Sequence, residues 1–410
     1  MGGRYAFLAL ATAQTFSLSG TRLSMIAIPW LVLTLTGDPV LTGAVAFAEM
    51  APYVLAKALG GPLIDRIGPR RISLLGDLGS LAAIAMVPLL HASGVLSMPA
   101  LIALVVVLGT LRGPADAAKQ AMIPAVARAG GLSLERTTGV MGTIDRLAGM
   151  MGAALAGALV AALGAAPALV FTAITFGLSA LTIALGLSGL SRNRREAREP
   201  AAGYGRQLRE GFDFLRGDAL LVSIAAMIAM TNLLDQAYGA VLVPVWAASS
   251  GQGVAVLGLV FAVFSGFSVL GSILAAAFGE RLPRLPVYVG AFLMIGLPRY
   301  AVFAFDVPLE AVLAVLAVGG FSSGFINPIV SAVILERIPE HLIGRVSSLV
   351  TASAWALMPF GGLLGGALIA GVGLDATLLG FGLVYLAITL APLTLKSFRG
   401  FSRRPGVVDG

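Results

Sequence analysis

"GGPLIDRIGPRR", residues 60–71, sets one aspartate and three arginines inside twelve residues, in a chain that elsewhere runs for long stretches through Ala, Leu, Val, Gly and Ile. A water-soluble domain spreads its charges and carries about 25% of them. Here 58% of the 410 residues are hydrophobic and 11% charged, with a mean hydropathy of +0.95. That is the composition of an integral membrane protein, and the charge cluster marks a place where the chain leaves the bilayer. Polar breaks of this kind separate apolar runs of about 20 residues, enough to cross roughly 30 Å of hydrocarbon as helix. Twelve spans are expected, near 5–35, 39–60, 72–92, 99–121, 137–163, 166–188, 218–247, 253–278, 285–305, 308–335, 346–371 and 374–396.

Lys and Arg are retained on the cytoplasmic side of a membrane, so their distribution orients the spans. Arg4, Arg66, Arg70, Arg71, Arg128, Arg136, seven arginines between Arg192 and Arg216, Arg281, Arg284, Arg337, Arg345, Lys396, Arg399, Arg403 and Arg404 fall in one set of segments. The alternate loops, near 36–38, 93–98, 164–165, 248–252, 306–307 and 372–373, hold neither residue. Both termini and the central loop are therefore expected in the cytoplasm, with the chain in the cell membrane. The first apolar run continues past Leu35 without a small-residue cleavage site, so no signal peptide is expected.

Composition also excludes chemistry. There is no cysteine, and His91 and His341 are too few and too distant for a metal cluster, so no metal or cofactor is expected. No Gly-x-x-x-x-Gly-Lys-Ser/Thr loop occurs, and no soluble stretch is long enough for an ATPase. No paired-carboxylate or Ser/His constellation points to an enzyme. The isoelectric point of about 10.1 reflects the arginines that orient the spans rather than a nucleic-acid partner.

The chain repeats itself. At an offset of 215, Pro29 falls on Pro244, Gly43 on Gly258, Asp65-Arg66 on Glu280-Arg281, Gly109 on Gly324, and Ile123-Pro124 on Ile338-Pro339; at 209, "GALVAALG" (157–164) falls on "GALIAGVG" (366–373). Six spans is an even number, so the two copies enter the membrane in the same direction, an arrangement that places a substrate site near the midplane between repeats. The expected organisation is a six-helix bundle at 1–188, a cytoplasmic loop at 189–217, a second six-helix bundle at 218–396 and a tail at 397–410. Within the loop, Leu208, Phe212 and Leu215 at i, i+4, i+7 predict a short interfacial amphipathic helix.

The opening stretch reads G-x-x-x-D-R-x-G-x-R-R from Gly61, with a decayed copy, "GERLPRLP", in the second repeat. It resembles the signature loop of the major facilitator superfamily, although Pro69 stands where a basic residue is usual. The resemblance implies an all-α fold of twelve helices in two pseudo-symmetric six-helix bundles. It also implies a cytoplasmic gate formed by Gly61, Asp65, Arg66, Gly68, Arg70 and Arg71, joined by Asp116 and Lys119 of span 4. "GTRLSMIAIPWLVLTLTGDP" (20–39), "PADAAKQAMIPAV" (114–126) and "LREGFDFLRGDALL" (208–221) are similar to the branch of twelve-span drug and metabolite exporters that includes macrolide efflux proteins. Gly149, Gly152 and Gly157 resemble the glycine-rich antiporter helix, with Ala153 in place of its proline. Arg112 resembles the basic residue that exporters place on span 4 and link to proton transfer.

Ionisable groups inside a span face a partner or a water-filled cavity. Arg22, Lys57, Arg112, Lys119, Arg146 and Arg299 are matched there by Glu49, Asp77, Asp116, Asp145 and Asp235. Low dielectric disfavours an ionised carboxyl and a nearby Arg favours it, so an acid that alternates between such surroundings carries a proton. Glu49, Asp145 and Asp235 are the proton-coupling candidates, with Arg22, Arg112 and Arg146 as partners; each acid is either a carrier or a permanent structural pair. Gln14, Ser17, Thr21, Asn232, Gln236, Tyr238, Ser323 and Asn327 are candidate cavity-lining groups, or else packing hydroxyls and amides. The resulting expectation is a monomeric secondary transporter that exports a small amphiphilic compound by proton antiport. The alternatives are a uniporter or importer of the same fold, and a membrane binding or scaffold protein.

Overall fold

The computed structural model describes residues 3–188, 204–278, 281–305, 307–339 and 342–401. Glu280, His341, the linker 189–203 and the tail 402–410 lie outside them, and so do the side chains of Arg4, Arg146 and Leu208. Among the described residues there is no strand, and twelve helices are long and apolar enough to cross a membrane. Spans 1 to 6 are Tyr5–Thr36, Pro39–Leu59, Pro69–Ala92, Met98–Gly130, Arg136–Leu163 and Ala165–Gly186. Spans 7 to 12 are Ala219–Ser249, Gly253–Phe278, Arg284–Ala304, Leu309–Arg337, Arg345–Val372 and Leu374–Thr394. The chain is an all-helical, multi-pass membrane protein.

Helix ends follow local chemistry. Asp38 caps span 2 by accepting from the Val40 and Leu41 amides, and Ser97 and Ser133 do the same for the helices they precede. Span 4 runs to Gly130 rather than to 121, because Pro124 is accommodated within the helix and the chain turns only at Gly131, whose φ of 62° closes the helix with a left-handed cap. The charged stretch 60–71 is itself partly helical. Gly61–Ile67 forms two turns, Gly68 at φ 97° reverses the chain, and Pro69 opens span 3.

By packing, the chain divides into two compact units. The first comprises Met1–Glu196, Ala237–Ala262 and Gly362–Ala370, and the second Ala197–Gln236, Val263–Gly361 and Gly371–Gly410. In the first unit spans 1 to 6 are each one unbroken helix. The same unit brings Gly43 against the Gly362 backbone and Gly157 against Gly258, two repeat-related contacts, since Gly43 aligns with Gly258.

Four spans of the second repeat are interrupted. Span 7 has a π-helical turn at Tyr238–Leu242, span 9 breaks at Gly296, span 10 at Gly324–Phe325 and span 11 at Ala356–Leu357. A proline follows each interruption, at 244, 298, 328 and 359, and removes one intrahelical hydrogen bond. Proline alone does not account for the asymmetry: Pro29, aligned with Pro244, sits in an unbroken helix.

The linker helix Tyr204–Gly217 docks within the second unit. Gly211 lies against Arg345 and Leu349, Glu210 pairs with Arg345 at 2.7 Å, and Leu215 is buried among Leu221, Ala225, Ile338, Leu342, Val346 and Val350. The apolar stripe expected from sequence ran through Phe212, which is 51% exposed. The buried stripe instead passes through Gly211, Phe214 and Leu215, because glycine admits the close approach to span 11.

Candidate functional site

The first unit holds a buried charge cluster built from four of its spans. Arg112 of span 4 donates to Ser17 of span 1 at 2.9 Å and to Asp77 of span 3 at 3.1 Å, and pairs with Asp116 one turn along its own helix at 2.5 Å. Lys119, one turn further on, donates to the same Asp77 oxygen at 2.7 Å and to Ser17 at 2.9 Å. The second Asp77 oxygen accepts from Ser179 of span 6 at 2.6 Å. Arg112 also lies 4.6 Å from the centroid of the Phe176 ring. Asp77 is fully buried and Lys119 is 1% exposed, so two cations and two carboxylates balance where unpaired charge is costly.

Span 2 borders this cluster. Gly109 and Gly113 of span 4 meet its backbone at Glu49 and Tyr53, and a Cβ on either would enter the carbonyl oxygens there. The approach brings the Tyr53 hydroxyl to Asp116 at 3.3 Å, and Lys57 donates to that hydroxyl at 3.3 Å. Glu49, one turn further along the same face, is half-buried. Among the described residues it has no hydrogen bond or ion pair, and its charged neighbour is Arg112. Arg22 and Asp145 pair at 3.6 Å with both side chains partly exposed.

In the second unit Asp235 of span 7 pairs with Arg299 of span 9. Three rings enclose that guanidinium, with centroids 5.7 Å away for Phe264, 5.1 Å for Tyr300 and 5.5 Å for Tyr385. The Asp235 side chain is 40% exposed while Arg299 is buried. Asn232 donates to the Ala354 carbonyl at 2.9 Å, beside the break in span 11, and Ser272 donates to the Gly324 carbonyl in the break of span 10. Ser323 donates to the Gly320 carbonyl at 2.6 Å and meets Ser268 at 2.8 Å. These side chains satisfy carbonyls that a broken helix leaves open.

The remaining predicted positions are dispersed. Ser17 bonds to Arg112 and Lys119, Thr21 bonds back to the Ser17 carbonyl, and Gln14 is half-buried. Tyr238 is buried, edge-on to Phe261, Gln236 is half-buried and Asn327 is exposed. In the signature loop Asp65, Arg66, Arg71 and Gly61 are exposed. Arg70 reaches the end of span 6, donating to the Ala184 carbonyl at 2.8 Å and the Ile183 carbonyl at 3.4 Å, where cations complement a helix C-terminus. Arg146 is on span 5, with its side chain outside the described residues. Asp77, Ser179 and Tyr53 were not singled out as site residues from sequence. The available signals were an acid inside span 3 and the i, i+4, i+8 spacing of Glu49, Tyr53 and Lys57.

Comparison with known proteins agrees with this architecture. The family model described as Major Facilitator Superfamily matches residues 10–236 and 224–405. The chain is 33% identical over 408 residues to the multidrug efflux pump Tap of Mycobacterium tuberculosis (strain ATCC 25618 / H37Rv), covering 98% of this chain and 95% of that one. It is 30% identical over 385 residues to Tap of Mycolicibacterium fortuitum, covering 93% of each. Among solved structures, the nucleoside transporter NupG superposes with a TM-score of 0.70 at 14% identity, covering 96% of this chain and 99% of that one. A D-xylose–proton symporter superposes with a TM-score of 0.67 at 15% identity, covering 94% and 96%. With twelve spans, an internal repeat and a family match that extends over nearly its whole length, this chain belongs to the Major Facilitator Superfamily.

Proposed function

We propose that this transporter exports a small amphiphilic drug or metabolite by alternating access, driven by inward proton flow, from a cell membrane in which both termini face the cytoplasm. Six-helix bundles at 1–188 and 218–396, joined by the loop 189–217 and followed by the tail 397–410, are the two moving parts of this reading. Export is supported by near-full-length similarity to the Tap efflux pumps. The observation that carries proton coupling is Glu49: a carboxyl inside a span, close to Arg112 yet without an ion pair among the described residues. Such a group gains or loses a proton without stranding a partner, whereas Asp77 cannot do so without unbalancing Arg112 and Lys119. Asp145 and Asp235 remain secondary candidates, each already facing an arginine. The signature loop 60–71 serves as the gate in this reading, and Asp116 belongs to the charge cluster rather than to the loop.

The deciding experiment expresses the chain in an efflux-deficient host and scores survival against a panel of amphiphilic compounds with and without a proton uncoupler. Raised resistance that the uncoupler abolishes is the expected result. Resistance that survives the uncoupler would leave a facilitative transporter, and an unchanged panel would leave import or scaffolding as the better readings.

A further inference from the structure

Glu49, Tyr53 and Lys57 recur at four-residue intervals and so share one face of span 2. Each interval advances about 6 Å along the helix axis. Gly109 and Gly113 hold this face against span 4 at backbone contact, and Asp116 lies on span 4 one turn beyond Arg112. A continuous chain of hydrogen-bonding groups results: Arg112 to Asp116 Oδ1, Tyr53 Oη to Asp116 Oδ2 at 3.3 Å, and Lys57 Nζ to Tyr53 Oη at 3.3 Å. Lys57 is half-buried in the last turn of span 2, next to the signature loop. Among the described residues, charged groups facing this chain include Arg112 and Lys119 on span 4, Arg22 on span 1 and Asp145 on span 5; Asp77 of span 3 is occupied by Arg112 and Lys119.

We propose that Asp116, Tyr53 and Lys57 form a proton wire leading out of the Arg112 cluster, with Lys57 as its terminal carrier; this rests on the proton coupling proposed above. The transfer balances without any other reactant. A proton on Asp116 Oδ2, which leaves Arg112 still paired with Asp77, passes to Tyr53 Oη as the tyrosine O–H proton passes to the neutral Lys57 amine. Asp116 becomes a carboxylate, tyrosine is regenerated and Lys57 becomes an ammonium, which then releases its proton to water at the loop. The arrangement described above, with Lys57 and Tyr53 as donors, is the state after transfer. Tyrosine suits the middle position because its hydroxyl both donates and accepts.

The test follows the protonated-carboxyl infrared band that Asp116→Asn removes from the purified, lipid-reconstituted protein, after a jump from about pH 6 to about pH 9, a range in which carboxylates of ordinary pKa near 4 are already ionised. Tyr53→Phe removes the relay hydroxyl. Lys57→Arg keeps the charge and the donors but never gives up its proton. Both variants are expected to lose the band about 100-fold more slowly than the unaltered protein, with its amplitude preserved. A purely structural role would lower the melting temperature and leave the rate unchanged. Wild-type rates in both variants would overturn the wire, and so would absence of the band from the unaltered protein. Uncoupler-sensitive resistance together with wild-type rates would sink the wire alone. Slowed rates together with uncoupler-insensitive resistance would sink coupled export and leave the wire standing.

Discussion

At the scale of the residue, burial and partners separate carboxylates that the sequence presents as equals. Asp77 accepts from Arg112, Lys119 and Ser179 with no solvent contact, whereas Glu49 has no such set among the described residues. Asp77→Asn leaves two buried cations with one carboxylate fewer, and breaking a buried pair in this way costs about 3 to 5 kcal/mol. Folded yield and melting temperature in detergent are therefore expected to fall sharply. Glu49→Gln breaks no ion pair among the described residues and is expected to lower the melting temperature less than Asp77→Asn, while uncoupler-sensitive export is lost. Equal thermal losses in the two variants would contradict this division between scaffold and carrier.

At the scale of the element, spans 2 and 4 are one packing unit because two glycines let their backbones touch. A leucine at Gly109 would drive its side chain into the Glu49 carbonyl, and overpacking of this kind costs about 1 to 3 kcal/mol. The Tyr53 and Asp116 contact depends on the same approach, so Gly109→Leu is expected to lower both melting temperature and transport. Gly61→Ala is the matched control, since nothing lies within 4 Å of a Cβ there, and its melting temperature is expected to be unchanged. The linker helix follows the same principle. Its docking on span 11 depends on Gly211, and the face it buries is set by where a backbone can come close rather than by where the most apolar residues fall.

At the scale of the whole molecule, the repeat gives two copies of one design that the structure treats differently: unbroken helices in the first, interruptions in spans 7, 9, 10 and 11 of the second. Broken spans with side-chain-satisfied carbonyls are the form that binding regions take in transporters. In the proposed mechanism cargo contact is expected in the neighbourhood of Asn232, Asp235 and Ser323, and proton handling at Glu49 and the Arg112 cluster. The orientation on which this rests is open to a direct check. Single cysteines at Ser93 and Ser249, at the ends of spans 3 and 7 that lead into loops without Lys or Arg, are expected to react with a membrane-impermeant thiol reagent on intact cells, and one at Ser402 is not. The opposite labelling pattern would invert the topology and the direction of the proton wire.

The sequence by itself determined the twelve spans, the repeat and the family. Crossing hydrocarbon requires long apolar helices whose backbone groups bond internally, a local demand that leaves its mark residue by residue. The four-residue spacing of Arg112 and Asp116 makes them neighbours on any helix, yet the sequence reading set Asp116 with the gate, and the structure shows the pair. Only the tertiary structure decided that Asp77 belongs to Arg112 and Lys119, that Asp235 belongs to Arg299, and that Tyr53 reaches Asp116. These partners are 35 to 64 positions apart, and which helix faces meet depends on the packing of small residues between spans, which a periodicity along one span does not contain. The same holds for the fate of Pro29 and Pro244: the residue is identical and aligned, and only its packed surroundings decide whether the helix stays whole.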